Sequence, residues 1–418
     1  MLGTALLFPG QGSQFVGMCS EMYKQYDIVK QTFEEASEVL DFNIYKLCTD
    51  GDLEQLTKTE NAQPAVLTSS VAAYRVFMQE IGLNPVFCAG HSLGEISALS
   101  CTGAIGFSDA VKMVQMRGKF MQEAVREGVG AMSAIVGNDV ELEVWTQHEC
   151  EKYSKAGHVV VISNYNSKGQ LVISGHKDAV KKVGDVMRSR GAKVISLKVS
   201  APFHCHLMQP AAERIKSLLD EFEIKNANIP VISNVDARPY THKDDVKNNI
   251  YRQMTSPVQW LKSIQYMRSR GTYLAFELGP KAVLKRMVEG ITCKITVIPI
   301  TDAQKISSAK KLIEENSMKE KAKMKQAKFK LVEKCMSAAV CTKNMNYNSE
   351  QYNEGVVKTY STIKHIWDKI VMENTEPTNR EIERVLEMLK LIFDTKQVPE
   401  QEQKERLDEI FLETGLCI

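Results

Sequence analysis

Ser92 is the residue best placed to act as a nucleophile. It lies in Gly90-His91-Ser92-Leu93-Gly94, a Gly-x-Ser-x-Gly pattern. The apolar run Pro85-Val86-Phe87-Cys88-Ala89 precedes it, and Glu95-Ile96-Ser97-Ala98-Leu99, of helix-forming character, follows. A strand, a tight turn carrying serine and then a helix is the setting in which this pattern forms a nucleophile elbow. The glycines matter sterically, because without a Cβ strand and helix can approach closely and the serine backbone can be strained. The helix N-terminus would then offer free N–H groups and partial positive charge to a developing oxyanion. A Gly-rich turn with a capping serine would show the same five residues, but the strand before and the helix after favour the elbow.

A serine hydroxyl is a poor nucleophile until a base removes its proton. The chain has eight histidines. His91 adjoins the serine, but an elbow points neighbouring side chains apart. Ser200-Ala201-Pro202-Phe203-His204-Cys205-His206 follows a predicted strand and a proline turn, where an α/β sheet places functional groups. By residue type His204 and His206 are equal candidates. His204-Cys205-His206 also permits a metal reading, which is weak because no further ligand cluster accompanies it. Arg117, in Gln115-Met116-Arg117-Gly118, reads by itself as a surface residue on a helix.

Alternating β-rich and helical stretches up to about residue 302 predict an α/β fold. Thr4-Ala5-Leu6-Leu7-Phe8 is an opening strand ending in the Gly-rich loop Pro9-Gly10-Gln11-Gly12-Ser13-Gln14. Residues 20–40 read as one helix, a second helix follows Pro64, and a third carries Val111, Val114, Arg117 and Met121. Between about residues 130 and 199 the order is strand (131–136), helix (140–153), strand (158–164), strand (170–174), helix (179–190) and strand (193–199). Asn166-Ser167-Lys168-Gly169 supplies the turn between the middle strands. This βαββαβ order is ferredoxin-like. Residues 229–234 and 272–277 are further strand candidates. The predicted architecture is an α/β-hydrolase-like large subdomain with a mostly parallel sheet, an inserted ferredoxin-like small subdomain, and an α-helical C-terminal extension.

Beyond residue 302 the character changes. Residues 303–355 read as a charged linker or solvated helix, with Lys319, Lys321, Lys323, Lys325, Lys328 and Lys330 in close order. Residues 356–418 read as helices: Ile363, Ile366, Trp367 and Ile370 share a face, and Thr378-Asn379-Arg380-Glu381 matches a capping box. At 418 residues with a formal net charge of +2, the chain can bury a large core, and nothing global favours nucleic acid or an anionic membrane. There is no basic leader and no apolar stretch of membrane-spanning length. Ten cysteines without a Cys-x-x-Cys pair suit reduced thiols and a cytoplasmic protein.

Four motifs in order, Phe8-Pro9-Gly10-Gln11-Gly12-Ser13-Gln14, Gly90-His91-Ser92-Leu93-Gly94-Glu95, Gln115-Met116-Arg117-Gly118 and Phe203-His204, resemble the malonyl-CoA:acyl carrier protein transacylases and the acyltransferase domains of polyketide synthases. The resemblance covers roughly residues 1–300. It implies transfer of a malonyl group from coenzyme A to the phosphopantetheine thiol of an acyl carrier protein, with Ser92 as nucleophile and His204 as base and then acid. It implies a stand-alone enzyme serving polyketide or fatty acid assembly in trans, with no bound cofactor or metal. The oxyanion hole would be the backbone N–H groups of Gln11 and Leu93. The carbonyl of Gln253 would orient the imidazole. Arg117 would hold the malonyl carboxylate, Phe203 would fill the space a branched α-carbon needs, and Asn166 would line the cleft. The resemblance ends near residue 300. Lys281-Ala282-Val283-Leu284 also departs from the Gly-rich stretch that the family carries there.

A carrier-protein acyl hydrolase is the alternative with the same fold, and Arg117 argues against it, because a carboxylate clamp gains nothing for neutral acyl chains. An α/β-hydrolase esterase would run Ser…Asp/Glu…His and lack the insert. The apolar stripes of residues 305–418 are expected to pack together or onto the body, with a scaffolding or synthase-docking role as the alternative.

Overall fold

The computed structural model describes residues 3–154, 157–373 and 375–416. The chain divides into two compact units, Met1–Lys310 and Lys311–Ile418.

The first unit is built on two sheets. β1 (Thr4–Phe8) and β2 (Phe87–Gly90) are buried along their whole length and, but for Thr4, carry no polar side chain, as strands covered on both faces must. β3 (Gly130–Val136), β4 (Val160–Ser167), β5 (Gln170–His176) and β6 (Lys193–Ser196) belong to the insert. β7 (Val231–Ile232), β8 (Leu274–Leu278) and β9 (Thr296–Ile300) return to the large subdomain. There the order is β7-β2-β1-β8-β9, with every neighbouring pair parallel. The insert forms a separate antiparallel sheet, β4-β5-β3-β6, crossed by helices Leu142–Tyr153 and Lys177–Ser189. That order of a βαββαβ unit is the ferredoxin-like arrangement. Its core is Ile135, Leu142, Val160, Ile162, Ile173, Val183 and Met187. Under the parallel sheet, Leu7, Ala89, Ile232, Trp260, Ile264, Leu284 and Val297 pack together.

Several boundaries differ from the sequence expectation. Residues 20–40 form two helices, Ser20–Gln25 and Asp27–Leu40, because Tyr26 takes an extended backbone between them. The helix expected after Pro64 begins at Thr59 and runs to Glu80 with the proline inside. Pro64 forfeits one backbone bond, but nearly every side chain of that first half is buried, and packing outweighs the loss. β4 runs on to Ser167 through two register irregularities, so the hairpin turn is only Lys168 and Gly169, and Asn166 lies in a strand. β9 went unpredicted because Pro299 sits inside it. It is an edge strand, where a missing N–H is tolerated.

The second unit is helical. Residues 303–341, expected as a charged linker or solvated helix, form one 39-residue helix, Ala303–Cys341. Helices Thr359–Met372, Asn379–Thr395 and Glu400–Thr414 follow, the second capped reciprocally by Thr378 and Glu381. Their apolar stripes close on one another: Leu331, Cys335, Ile363, Ile382, Val385, Leu389, Phe393 and Ile410 form one core.

Candidate active site

The turn after β2 has the strain its sequence predicts. Ser92 adopts φ 53°, ψ −107° and caps the helix Leu93–Cys101. A Cβ on Gly90 would fall 1.9 Å from the Gly94 carbonyl carbon, and one on Gly94 would fall 2.0 Å from Phe8 O. Only glycine fits at either position, and the two contacts press the helix start onto the ends of β1 and β2.

His204, 112 residues away in the chain, comes within 2.7 Å of Ser92 Oγ through Nε2. Its Nδ1 is 2.8 Å from the backbone oxygen of Gln253, which can only accept. Nδ1 therefore carries the proton, and Nε2 presents a lone pair to the serine. His204 also sits at φ 57°. Burial, and secondarily the Arg117 guanidinium, push its pKa down to about 3. The ring is thus neutral, the form a base requires. His206 is exposed, and Cys205 donates to the Pro202 carbonyl. Among the described residues no group of three His, Cys, Asp or Glu side chains could hold a metal ion.

Arg117 is 1% exposed, far from the surface residue its type alone suggested. Its Nη1 donates to Gln63 Oε1 at 2.8 Å, and its Nη2 to Gln253 Oε1 at 2.9 Å and to Ser92 Oγ at 3.3 Å. Its buried Nε has no hydrogen-bond partner. Burial pulls its pKa down to about 10, which still leaves it charged at neutral pH. Ser92, His204 and Arg117 line a cleft of about 270 Å³ between the two subdomains, together with Gln11, Leu93, Asn166 and Phe203. Phe203 is buried beside the histidine. Asn166 Oδ1 lies 2.9 Å from His91 Nε2, so His91 turns away from the serine. Leu93 is the first residue of its helix, where a backbone N–H has no intrahelical acceptor.

Gln11 sits in the loop after β1. Ser13 Oγ donates to Gly10 O, and Gly12 N donates to Gln14 Oε1. Lys281, where the sequence departs from the transacylase pattern, adopts φ 62° and donates from Nζ to Gln14 O at 3.0 Å. It pins this loop from the far side.

Sequence reasoning missed three supporting residues. Asn234 Oδ1 accepts from Ser92 N at 2.7 Å while its Nδ2 donates to Gly90 O at 2.7 Å, bridging both sides of the elbow. Gln63 holds Arg117; a glutamine on an otherwise apolar helix face was the available signal. Tyr240 donates to Glu95; nothing in its sequence surroundings marks it.

A half-buried serine bonded to a buried histidine beside a buried guanidinium, in a cleft between an all-parallel sheet and a ferredoxin-like insert, defines an acyltransferase. The chain matches the acyl transferase domain family over residues 5–341 and belongs to it. The malonyl CoA-acyl carrier protein transacylase of Escherichia coli (strain K12) is 45% identical over 309 residues, 74% of this chain and 99% of that protein. One from Bacillus subtilis is 37% identical over 403 residues, 96% of this chain and 99% of that protein, so its alignment extends through the helical unit. A malonyl-transacylase solved in complex with a type II PKS acyl-carrier protein is 39% identical, with a TM-score of 0.71, covering 74% of this chain and 99% of that one.

Proposed function

We infer that this protein transfers a malonyl group from malonyl-CoA to the phosphopantetheine thiol of an acyl carrier protein by way of a malonyl-serine. The observation that carries it is the meeting of Ser92 Oγ with His204 Nε2 at 2.7 Å and with Arg117 Nη2 at 3.3 Å.

His204 Nε2 takes the hydroxyl proton as Ser92 Oγ attacks the thioester carbonyl. The oxyanion is received by the backbone N–H groups of Gln11 and Leu93. Collapse breaks the C–S bond, and His204 returns the proton to the coenzyme A sulfur. In the second half the carrier's thiol gives its proton to His204, its sulfur attacks the malonyl-serine, and Ser92 leaves reprotonated. Arg117 takes the malonyl carboxylate through its guanidinium, which reaches Ser92 Oγ from Nη2. An acetyl group would leave that guanidinium unanswered. Phe203 narrows the space beside the reacting carbon, and Asn166 holds the His91 side of the cleft. The reaction needs no bound cofactor.

The relatives support this reading, as does the carrier protein seen with one of them. No helix among the described residues is long and apolar enough to cross a membrane. The transfer would serve fatty acid or polyketide assembly in the cytoplasm. Residues 303–418 are assigned outside the chemistry. Intact mass after mixing with malonyl-CoA should show one added malonyl group, cleared by a carrier protein. Ser92→Ala should show none, and an adduct persisting in that variant would refute the assignment.

A further inference from the structure

Glu95 is the second residue after the elbow's Leu93 and is 1% exposed. A buried carboxylate needs donors or a counter-charge, and this one has both. Oε2 accepts from Asn234 N at 3.2 Å and from Gln253 Nε2 at 2.6 Å, and Oε1 accepts from Tyr240 Oη. All three partners donate, an arrangement that fits the ionised carboxylate. The Gln253 amide turns its other end to Arg117, with Oε1 accepting from Nη2 at 2.9 Å, while its Nε2 also reaches Ser92 O at 3.2 Å. One amide therefore bridges a buried anion and a buried cation. The same residue's backbone oxygen holds His204.

We propose that Glu95 is the resident counter-ion of Arg117 and, acting through Gln253 as a positioning residue, sets how strongly the cleft prefers a carboxylated acyl group. This rests on the malonyl-transfer reading above. With the cleft empty, one buried positive charge faces one buried negative charge. A malonyl group brings a second negative charge to the same guanidinium and leaves the trio one negative charge in excess. An acetyl group brings none.

Proton uptake by Glu95 relieves the excess. The titratable groups that face it are Arg117 from the Phe107–Glu123 helix and Tyr240 from the segment after β7, with Asp236 beside the tyrosine. Burial raises the Glu95 carboxyl to about 7 against the opposing pull of Tyr240, Gln253, Asn234 and Arg117. Neutral Glu95 leaves Arg117 wholly to the malonyl carboxylate and ionised Glu95 competes for it, so malonyl preference falls as pH rises through neutrality.

The test is the ratio of kcat/KM for Ser92 loading by malonyl-CoA and acetyl-CoA, measured on the full chain by intact mass at quench across the neutral pH range. The ratio cancels the coenzyme A phosphates and His204, which both substrates share. In the wild type it should fall at least about fivefold on going from acid to alkaline pH, the lower end of ordinary coupling between sites. Glu95→Gln has nearly the same shape and should hold the ratio high and flat. Tyr240→Phe removes one donor to the carboxylate and should move the midpoint to higher pH. A flat wild-type ratio, or equal losses for both substrates in Glu95→Gln, would overturn the proposal. If Glu95→Gln does not fold, an unmoved midpoint in Tyr240→Phe overturns it. A wild type without malonyl preference at any pH would take down the malonyl-transfer reading as well.

Discussion

Replacing Asn234 by alanine removes the side-chain brace of the elbow without touching either proposed reacting group. Two hydrogen bonds vanish, each 2.7 Å long and one of them fully buried, and Ser92 N and Gly90 O are left facing a methyl group. A bond of this kind contributes roughly 1 kcal/mol net, and a stranded group that finds no water costs about 1–3 kcal/mol instead. The backbone at Ser92, φ 53° and ψ −107°, holds strain of about 1–3 kcal/mol that its surroundings must impose. Relaxing it recovers part of the loss, so we expect a net destabilisation of roughly 2–4 kcal/mol. In a unit of 310 residues that is a Tm lower by about 3–6 °C. The relaxation also carries Oγ away from His204 Nε2, and a displacement near 1 Å costs about a hundredfold in rate. The assay is kcat/KM for Ser92 loading by malonyl-CoA, beside thermal unfolding. Asn234→Asp keeps an acceptor for Ser92 N but has no donor for Gly90 O, and should fall between wild type and Asn234→Ala. Loading by Asn234→Ala within about threefold of wild type would refute the reasoning, since the glycine contacts and the helix would then hold the turn alone.

Arg117→Ala should lower malonyl loading by roughly a hundredfold or more, while acetyl loading changes far less; equal losses, read from the two kcat/KM values, would show that the guanidinium serves structure only. Because His204 stays neutral down to about pH 3, a pH profile of kcat/KM should show no acid limb in the ordinary imidazole range. A limb near about pH 6.5 would mean that the ring is more hydrated than its burial implies. A chain ending at Lys310 should stay folded and load malonyl at the wild-type rate, because the Escherichia coli relative is matched almost completely without the helical unit. Insoluble protein would instead make residues 311–418 part of the folding unit.

The parts of the site legible in the sequence were those written locally. The elbow declares itself through two glycines, an apolar run and a helix, all within a dozen or so residues. The βαββαβ order of the insert was readable from periodicity and one turn signal. Ser92 and His204 were paired through resemblance, because residue type alone left His204 level with His206. Asn234, Gln63 and Tyr240 were not legible. Each is a polar residue whose role comes from a partner far along the chain, 142 positions away for Asn234 and Ser92. Pro299 hid β9, since a proline argues against a strand unless the strand is known to lie at an edge. Pro64 displaced a helix start by about five positions, because burial of the surrounding residues cannot be read from propensity.

Gln253 offers its main-chain oxygen to the imidazole and its amide to the guanidinium. No side-chain replacement there can delete the first contact. The same holds for the backbone N–H groups we assign to the oxyanion. The orientation of the imidazole and the contacts proposed for the oxyanion thus follow from the path of the chain, while the proposed nucleophile, base and carboxylate clamp are side chains. Alanine scanning will accordingly understate the part that position 253 plays.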